Sequence, residues 1–431
     1  MTRRRLSAAA NAVAVAVAVA VVGVVPACSQ SAPSAMAGSG GAGAGAGMTT
    51  GQSGTTAPAT CSGVRAPAAF DTFKIADAAP TGARPSIVIG PDATPIVAFR
   101  VGAAGREQVV AARLDNPADA SGPRVQMVPL SYAGPVVTSP RVAARDGRIL
   151  SAYSAESPDG SHHGRYDAWS GGIDDPPVDV QPIDDPIDYA APAIAIDATG
   201  RPVMAFLYLD FSLRLLTQSQ DGAWSREVVA IGVIPFASTL IDMTLDSRGR
   251  AVLVGSAIAS TGYAAGQNMF LPPTDGLTVW RYSSSGWITD RLLSGSFSLS
   301  SRIRLSPSGE PTIFYSGPTG GLARATLRDE AWRPDDPVGG SGAGAPLGDL
   351  ADVVYGPQGE IQVVSLAFEG LTHGVFDGCR WSKTVVTEIA GAPAIAVDGE
   401  GRVHIAYERQ VGVVEATGSE ISEVWYARPR P

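Results

Sequence analysis

The sequence predicts an all-β fold, a seven-bladed β-propeller with four antiparallel strands per blade. Three observations carry that prediction. A motif of about fifteen residues recurs seven times at intervals of roughly 40 to 60 residues, the spacing of propellers and solenoids. Each copy has the chemistry of a β-hairpin, and a second hairpin follows it. The 50 glycines and 33 prolines leave little room for helices and suit many short strands joined by turns.

Taken in chain order, the first segment is an address rather than structure. Arg3, Arg4 and Arg5 precede an uncharged apolar run from Leu6 to Val25. The run approaches the length of a transmembrane helix. It ends, however, at Val25-Pro26-Ala27-Cys28, which resembles a bacterial lipobox with Pro26 as its unusual member. Residues 1–27 are therefore expected to be a lipoprotein signal peptide, with Cys28 the lipidated residue that holds the protein to a membrane surface. A plain secretory signal or an uncleaved anchor is the alternative. Ser29 rather than Asp follows the cysteine, which points to the outer membrane or cell surface. Residues 28–60 are Ser, Ala, Gly, Thr and Pro and read as a flexible linker, because they offer too little apolar surface to offset ordering.

The predicted propeller spans residues 61–431. Two cysteines remain there, Cys61 and Cys379, and in an exported protein they suggest a disulfide. Two unrelated thiols are the other reading. Loss of residues 1–27 removes three arginines and no acid, making a formal charge of −9 more negative still. An acidic body argues against nucleic acid and against electrostatic binding to anionic lipid.

The repeats begin at Ser86, Pro140, Pro192, Asp242, Ser301, Asp352 and Pro393. The left arm alternates apolar residues, as in Ile194 and Ile196. A turn follows from Asp to Gly: Asp197 to Gly200, Asp246 to Gly249, Asp398 to Gly401. Asp caps the next backbone N–H groups and Gly accepts positive φ, so these aspartates are read as turn formers. The right arm, such as Val203 to Leu209, is more continuously apolar, as expected for a strand covered on both faces. The outer hairpins are LRLLTQSQ with AWSREVVA, and the runs from Thr278, Gly321 and Leu371. The segment from Phe70 to Asp77 resembles an outer strand and is expected to close the ring on the last blade, since an open ring leaves unpaired edges. A second candidate outer strand from Ser422 leaves one strand too many.

Candidate site residues lie where the repeat is interrupted. The acidic run holds Asp174, Asp175 and Asp179, then Asp184, Asp185 and Asp188, the last three near the axis. Hard cations want several carboxylates, so calcium is one reading. The spacing lacks the alternation of a DxDxDG loop, so a solvated acidic loop is the other. His162 and His163 are placed in a loop on the same face, as possible partner contacts rather than metal ligands. The insertion from Ser260 to Asp275 offers Tyr263, Asn268, Met269 and Phe270 to a partner, because loops on rigid scaffolds carry function. The alternative is a loop packed over the channel. Trp224, Trp287, Trp332 and Trp381 recur after the outer turns, either as sugar platforms or as packing between outer strands.

The repeat resembles the bacterial neuraminidase-type (BNR) propeller repeats in its Asp-turn-Gly hairpin and later Gly-x-Trp element. It departs from the Asp-box, S-x-D-x-G-x-T-W: Asp and Gly are three apart and no Trp follows. No arginine triad or Tyr/Glu nucleophile pair can be placed by motif. A closer resemblance is to exported bacterial propellers with the repeat P-x-h-A-h-D-x-x-G-x-h-h-h-A-Y, over residues of about 70 to 430. It implies a fold and no ligand. No GxSxG, HExxH, P-loop or GxGxxG signature is present.

The expected function is a membrane-anchored extracytoplasmic binding or scaffold module for a protein or carbohydrate partner, with no cofactor. The alternative is a hydrolase or lyase acting on extracellular polysaccharide in the central channel. The starts of the inner strands read as mostly apolar with scattered Arg, which favours binding. Two carboxylates roughly 5 to 10 Å apart in the channel would favour the enzyme.

Overall fold

The two-residue alternation of the repeats becomes a ring of four-stranded antiparallel sheets, a seven-bladed β-propeller. The computed structural model describes residues 61–77, 84–103, 106–130, 139–156, 162–169, 178–180, 192–208, 210–231, 233–235, 241–259, 276–294, 301–316, 321–335, 338, 349–414 and 419–430.

The chain opens with β1 (Phe70–Asp77). Blade 1 holds β2 (Ser86–Ile89), β3 (Pro95–Val101), β4 (Gln108–Asp115) and β5 (Arg124–Pro129). Blade 2 holds β6 (Arg141–Arg145), β7 (Arg148–Glu156), β8 (His162–Trp169) and β9 (Val178–Val180). Blade 3 holds β10 (Ala193–Ile196), β11 (Pro202–Leu207), β12 (Leu213–Gln218) and β13 (Trp224–Ala230). After β14 (Val233–Pro235), blade 4 holds β15 (Asp242–Leu245), β16 (Ala251–Ala259), β17 (Gly276–Ser283) and β18 (Gly286–Ser294). The short β14 pairs with the far end of β16. Blade 5 holds β19 (Ser301–Leu305), β20 (Pro311–Ser316), β21 (Leu322–Arg328) and β22 (Ala331–Asp335). Blade 6 holds β23 (Asp349–Tyr355), β24 (Ile361–Ala367), β25 (Gly370–Phe376) and β26 (Trp381–Thr387). Blade 7 holds β27 (Gly391–Val397), β28 (Val403–Val414), β29 (Ser419–Pro429) and, as its fourth strand, β1.

The ring therefore closes with a strand from each end of the domain. β1 runs antiparallel to β29 from Phe70 opposite Pro429 to Asp77 opposite Glu423. The surplus strand expected from the sequence does not arise. The segment from Ser422 belongs to β29, which pairs with β28 on one edge and β1 on the other. Cys61 and Cys379 form a disulfide, with Cα atoms 5.4 Å apart. Between that bond and β1 the chain stitches itself to blade 6: Ser62 N–H donates to Asp377 O (2.8 Å) and Ala66 N–H to Ser382 Oγ (2.7 Å).

Packing explains why the second strand of each blade is so apolar. In β3, Ile96 and Ala98 face blade 2 while Val97 and Phe99 face blade 7, and all four are inaccessible. Each interface between neighbouring blades has its own apolar cluster, including the one between blades 7 and 1 that closure completes. Fully burying side chains of this size stabilises by roughly 1.5–3 kcal/mol each.

The turn aspartates do what their position predicts. Asp197 Oδ1 accepts from the N–H groups of Thr199 (2.8 Å) and Arg201 (2.9 Å), and Oδ2 accepts from Arg201 Nε (3.0 Å). Asp246 and Asp398 repeat the arrangement with Arg250 and Arg402. Gly200 closes its turn at φ 81°, a conformation costly for any residue with a Cβ.

Candidate functional site at the channel mouth

The inner strands β2, β6, β10, β15, β19, β23 and β27 stand side by side around the axis. Their channel edges carry backbone groups that no further strand pairs. Side chains from neighbouring blades answer some of them. Ser86 Oγ accepts from Val142 N–H (3.2 Å), Asp242 Oδ2 from Ile303 N–H (3.0 Å) and Asp352 Oδ2 from Ile395 N–H (3.1 Å). In each case a residue near the mouth of one inner strand satisfies the second channel position of the next blade. Alternate side chains of a strand point the same way, which fixes this geometry.

Charge concentrates at this end of the channel. Arg304 of β19 reaches both neighbours at once. Its Nη1 meets Asp242 Oδ2 at 2.6 Å, its Nη2 meets Asp352 Oδ1 at 2.5 Å, and its Nε donates to Val353 O at 2.8 Å. One guanidinium thus ties blades 4, 5 and 6 together. Arg302, also in β19, is 6 % exposed and places Nε 3.5 Å from Asp352 Oδ1, beyond good hydrogen-bond geometry. Arg141 of β6 makes no ion pair within 4.0 Å among the described residues.

The titration shifts follow from this crowding. Burial alone would raise the Asp242 carboxyl, but Arg304, Arg302 and Arg141 outweigh it and hold the group below the usual carboxylate range. Arg304 is pushed up because Asp242 and Asp352 outweigh its desolvation. Arg141 is pulled down to about 10, first by burial and then by the nearby Arg302. Among the described residues three arginines face two aspartates, which leaves one positive charge over.

The sequence-predicted residues sit as follows. Cys28, Tyr263, Asn268, Met269, Phe270, Asp184, Asp185 and Asp188 lie outside the described residues, and with them the calcium reading of the acidic run. His162 and His163 are not in a loop: they open β8, opposite Glu156 and Ala155 of β7, and His163 is buried. A hairpin whose connection is only residues 157–161 draws both histidines into the ladder. Among the described residues no group of three His, Cys, Asp or Glu is placed to hold a metal.

The four tryptophans face neighbouring strands. Trp332 Nε1 donates to Asp290 Oδ2 of blade 4 (3.0 Å), and Trp381 Nε1 to Val338 O (2.8 Å). Trp224 sits edge-on to Tyr166 of blade 2, and Trp287 to Tyr282. All four are partly buried against the inter-blade cores.

Sequence reasoning missed Asp242 and Asp352 as channel groups, and missed the pairing of Arg302 and Arg304 with them. The available signal was alignment on the turns. The position four before the turn reads Ser86, Ala193, Asp242, Arg302, Asp352 and Ala394, so its polarity differs from blade to blade.

No protein-family profile and no curated protein sequence matches the chain. Solved structures do. A streptogramin B lyase is 14% identical, covering 82% of this chain and 97% of its own, at a TM-score of 0.49. AofleA from Arthrobotrys oligospora is 12% identical, covering 73% of this chain and 87% of its own, at 0.45. The Hadza microbial sialidase Hz136 is 12% identical, covering 79% of this chain and 65% of its own, at 0.44. At such identities none of them assigns an activity to this chain.

Proposed function

We propose that the chain is an exported, membrane-anchored binding propeller, held by lipid on Cys28 and a tether over residues 28–60. Its partner is a protein or glycan recognised on the channel-mouth face. One observation carries the choice of binding over catalysis. Among the described residues the two carboxylates of the channel mouth are already committed, each to Arg304 and to a backbone N–H of the following blade. A general acid needs a carboxyl whose pKa is raised, and Asp242 is held down. Among the described residues the channel still offers the cationic Arg141 and the incompletely bonded Arg302, which suit an acidic group on a partner.

The test is a glycan array and an envelope pull-down with residues 61–431, comparing the parent with R141Q. Capture of an acidic glycan or one envelope protein, weakened in R141Q, supports the reading. Release of a C28A variant from the membrane fraction supports the anchor.

A polysaccharide hydrolase or lyase remains the second reading, on one specific ground. A guanidinium touching both carboxylates keeps Asp242 and Asp352 inside the roughly 5–10 Å window of paired glycosidase carboxylates. Against it, Arg304 already occupies a hydrogen-bonding position on both carboxylates.

A further inference from the structure

Inner strands run from the channel mouth to the Asp turns, so the second strand of each blade runs back and ends on the mouth side. In blade 7 that strand overshoots. Pairing of β28 with β27 stops at Glu408 opposite Gly391, and Arg409–Val414 continue past it, paired only with β29 among the described residues. Over that stretch the inner edge of β28 presents unpaired backbone groups. Blade 4 shows what such an edge takes. There β16 also runs past its inner strand, whose pairing begins at Asp242 opposite Val254. The overshoot is covered by β14, antiparallel on the same edge, from Val233 opposite Ala259 to Pro235 opposite Ala257.

The β28 edge suits the same kind of cover. From Gln410 to Val414 it carries no charge and none of the Lys or Pro that blunts natural edges. A bulge at Val411 is its one irregularity, and Gly412–Val414 beyond it stay in regular register with β29, the length that β14 covers on β16. Val411 and Val413 are 48 % and 52 % exposed. At the foot of this ribbon, Ile389 is exposed two residues before Gly391, and Phe368 is exposed in the neighbouring β24–β25 turn. Clustered exposed apolar side chains mark interaction sites.

Where the chain enters the domain selects the occupant. Cys61 is bonded to Cys379 in the β25–β26 turn, at the opposite end of blade 6 from the mouth. On the anchoring reading above, the membrane then lies toward the turn side and the β28 edge points away from lipid. Copies anchored to one membrane would also point their β28 strands the same way, whereas antiparallel pairing of two such edges needs them opposed. We propose that the β28 edge takes an added strand, an extended uncharged segment of a partner protein with apolar residues at alternate positions. It pairs antiparallel, as β14 does with β16. The inference rests on the mouth-face reading and adds to it the class of partner and its mode of docking.

Calorimetric titration of the full chain with the peptide Ala-Ile-Gly-Val-Ile-Pro, the sequence of residues 230–235, tests it. The peptide should bind saturably. A copy N-methylated at its Val and the following Ile loses ladder donors and should bind at least tenfold more weakly. V411K/V413K should weaken the peptide at least tenfold while keeping the parent's urea midpoint, since both side chains are exposed. Should that variant lose its fold, amide exchange in the parent carries the test: Gln410–Val414 should exchange at least tenfold more slowly with peptide bound. R141Q should bind the peptide like the parent, so failure here and failure of the channel reading are told apart. No saturable binding, equal binding of the N-methylated copy, binding unchanged in a folded V411K/V413K, or binding abolished in R141Q would each overturn the assignment. So would dimerisation of the parent, or its binding to phosphatidylcholine vesicles, that V411K/V413K abolishes.

Discussion

Replacing Arg304 by methionine keeps a long side chain in β19 and removes the cation that Asp242 and Asp352 share. The side chains of the two aspartates are 19 % and 10 % exposed, and that of Arg304 28 %. Breaking a buried ion pair from one side costs roughly 3–5 kcal/mol, because a charge is left without its partner. Two circumstances pull the cost to the low end, about 3 kcal/mol. Backbone N–H groups of Ile303, Val353 and Ile395 still bond the carboxylates, and Arg302 stays near Asp352. The pH dependence gives the sharper signature. In the parent, Asp242 has a depressed folded pKa, so its contribution is present above the unfolded carboxylate value and lost as pH falls through the folded one. In R304M the largest of the charges opposing burial at Asp242 is gone, so its carboxyl rises from the parent's depressed value and protonation costs the variant less than the parent. Urea unfolding at pH 7 and pH 4 should therefore show a large gap between parent and variant at pH 7 that narrows at pH 4. A gap under about 1 kcal/mol at pH 7, or one that does not change with pH, would refute the idea that Arg304 holds blades 4, 5 and 6 by charge.

The double variant C61S/C379S opens a cross-link between residues 318 apart, for which chain entropy sets a ceiling of about 6 kcal/mol. Its denaturant midpoint should fall, and reduction of the parent should match it. D197A removes an acceptor of several turn hydrogen bonds from a carboxyl held down to about 2 although burial opposes it. Its cost should be about 1–2 kcal/mol at neutral pH and should vanish as pH falls from about 4 towards 2. W332F deletes the bond from Trp332 Nε1 to Asp290 Oδ2 across blades 4 and 5. It should cost about 1–2 kcal/mol in urea unfolding and leave glycan capture unchanged. Loss of capture without loss of stability would instead make Trp332 a ligand platform.

What could be read in advance was whatever repeats. Asp197, Asp246 and Asp398 recur at one place in one motif, and each braces its turn through an Arg four residues on. The strand from Phe70 was legible because it resembles an outer strand and because a propeller cannot leave its edges open. The disulfide followed from compartment and count. The channel site was not legible, for two physical reasons. Its residues differ from blade to blade, so no period marks them. Their contacts also join positions 62 and 48 residues apart, which only the ring brings together. His163 was misplaced because Pro158-Asp159-Gly160 reads as a turn signal that blurs where the next strand begins, whereas pairing with Ala155 decides it.

The central claim is that the channel mouth binds an acidic partner through Arg141 and Arg302 while Asp242 and Asp352 hold the blades. The direct measurement presents acidic polysaccharide and envelope extract to the parent, R141Q, D242N and D352N, and follows both retained ligand and released product. The account predicts retention by the parent, weaker retention by R141Q, and no product from any of them. Product released by the parent and abolished in D242N or D352N would contradict it.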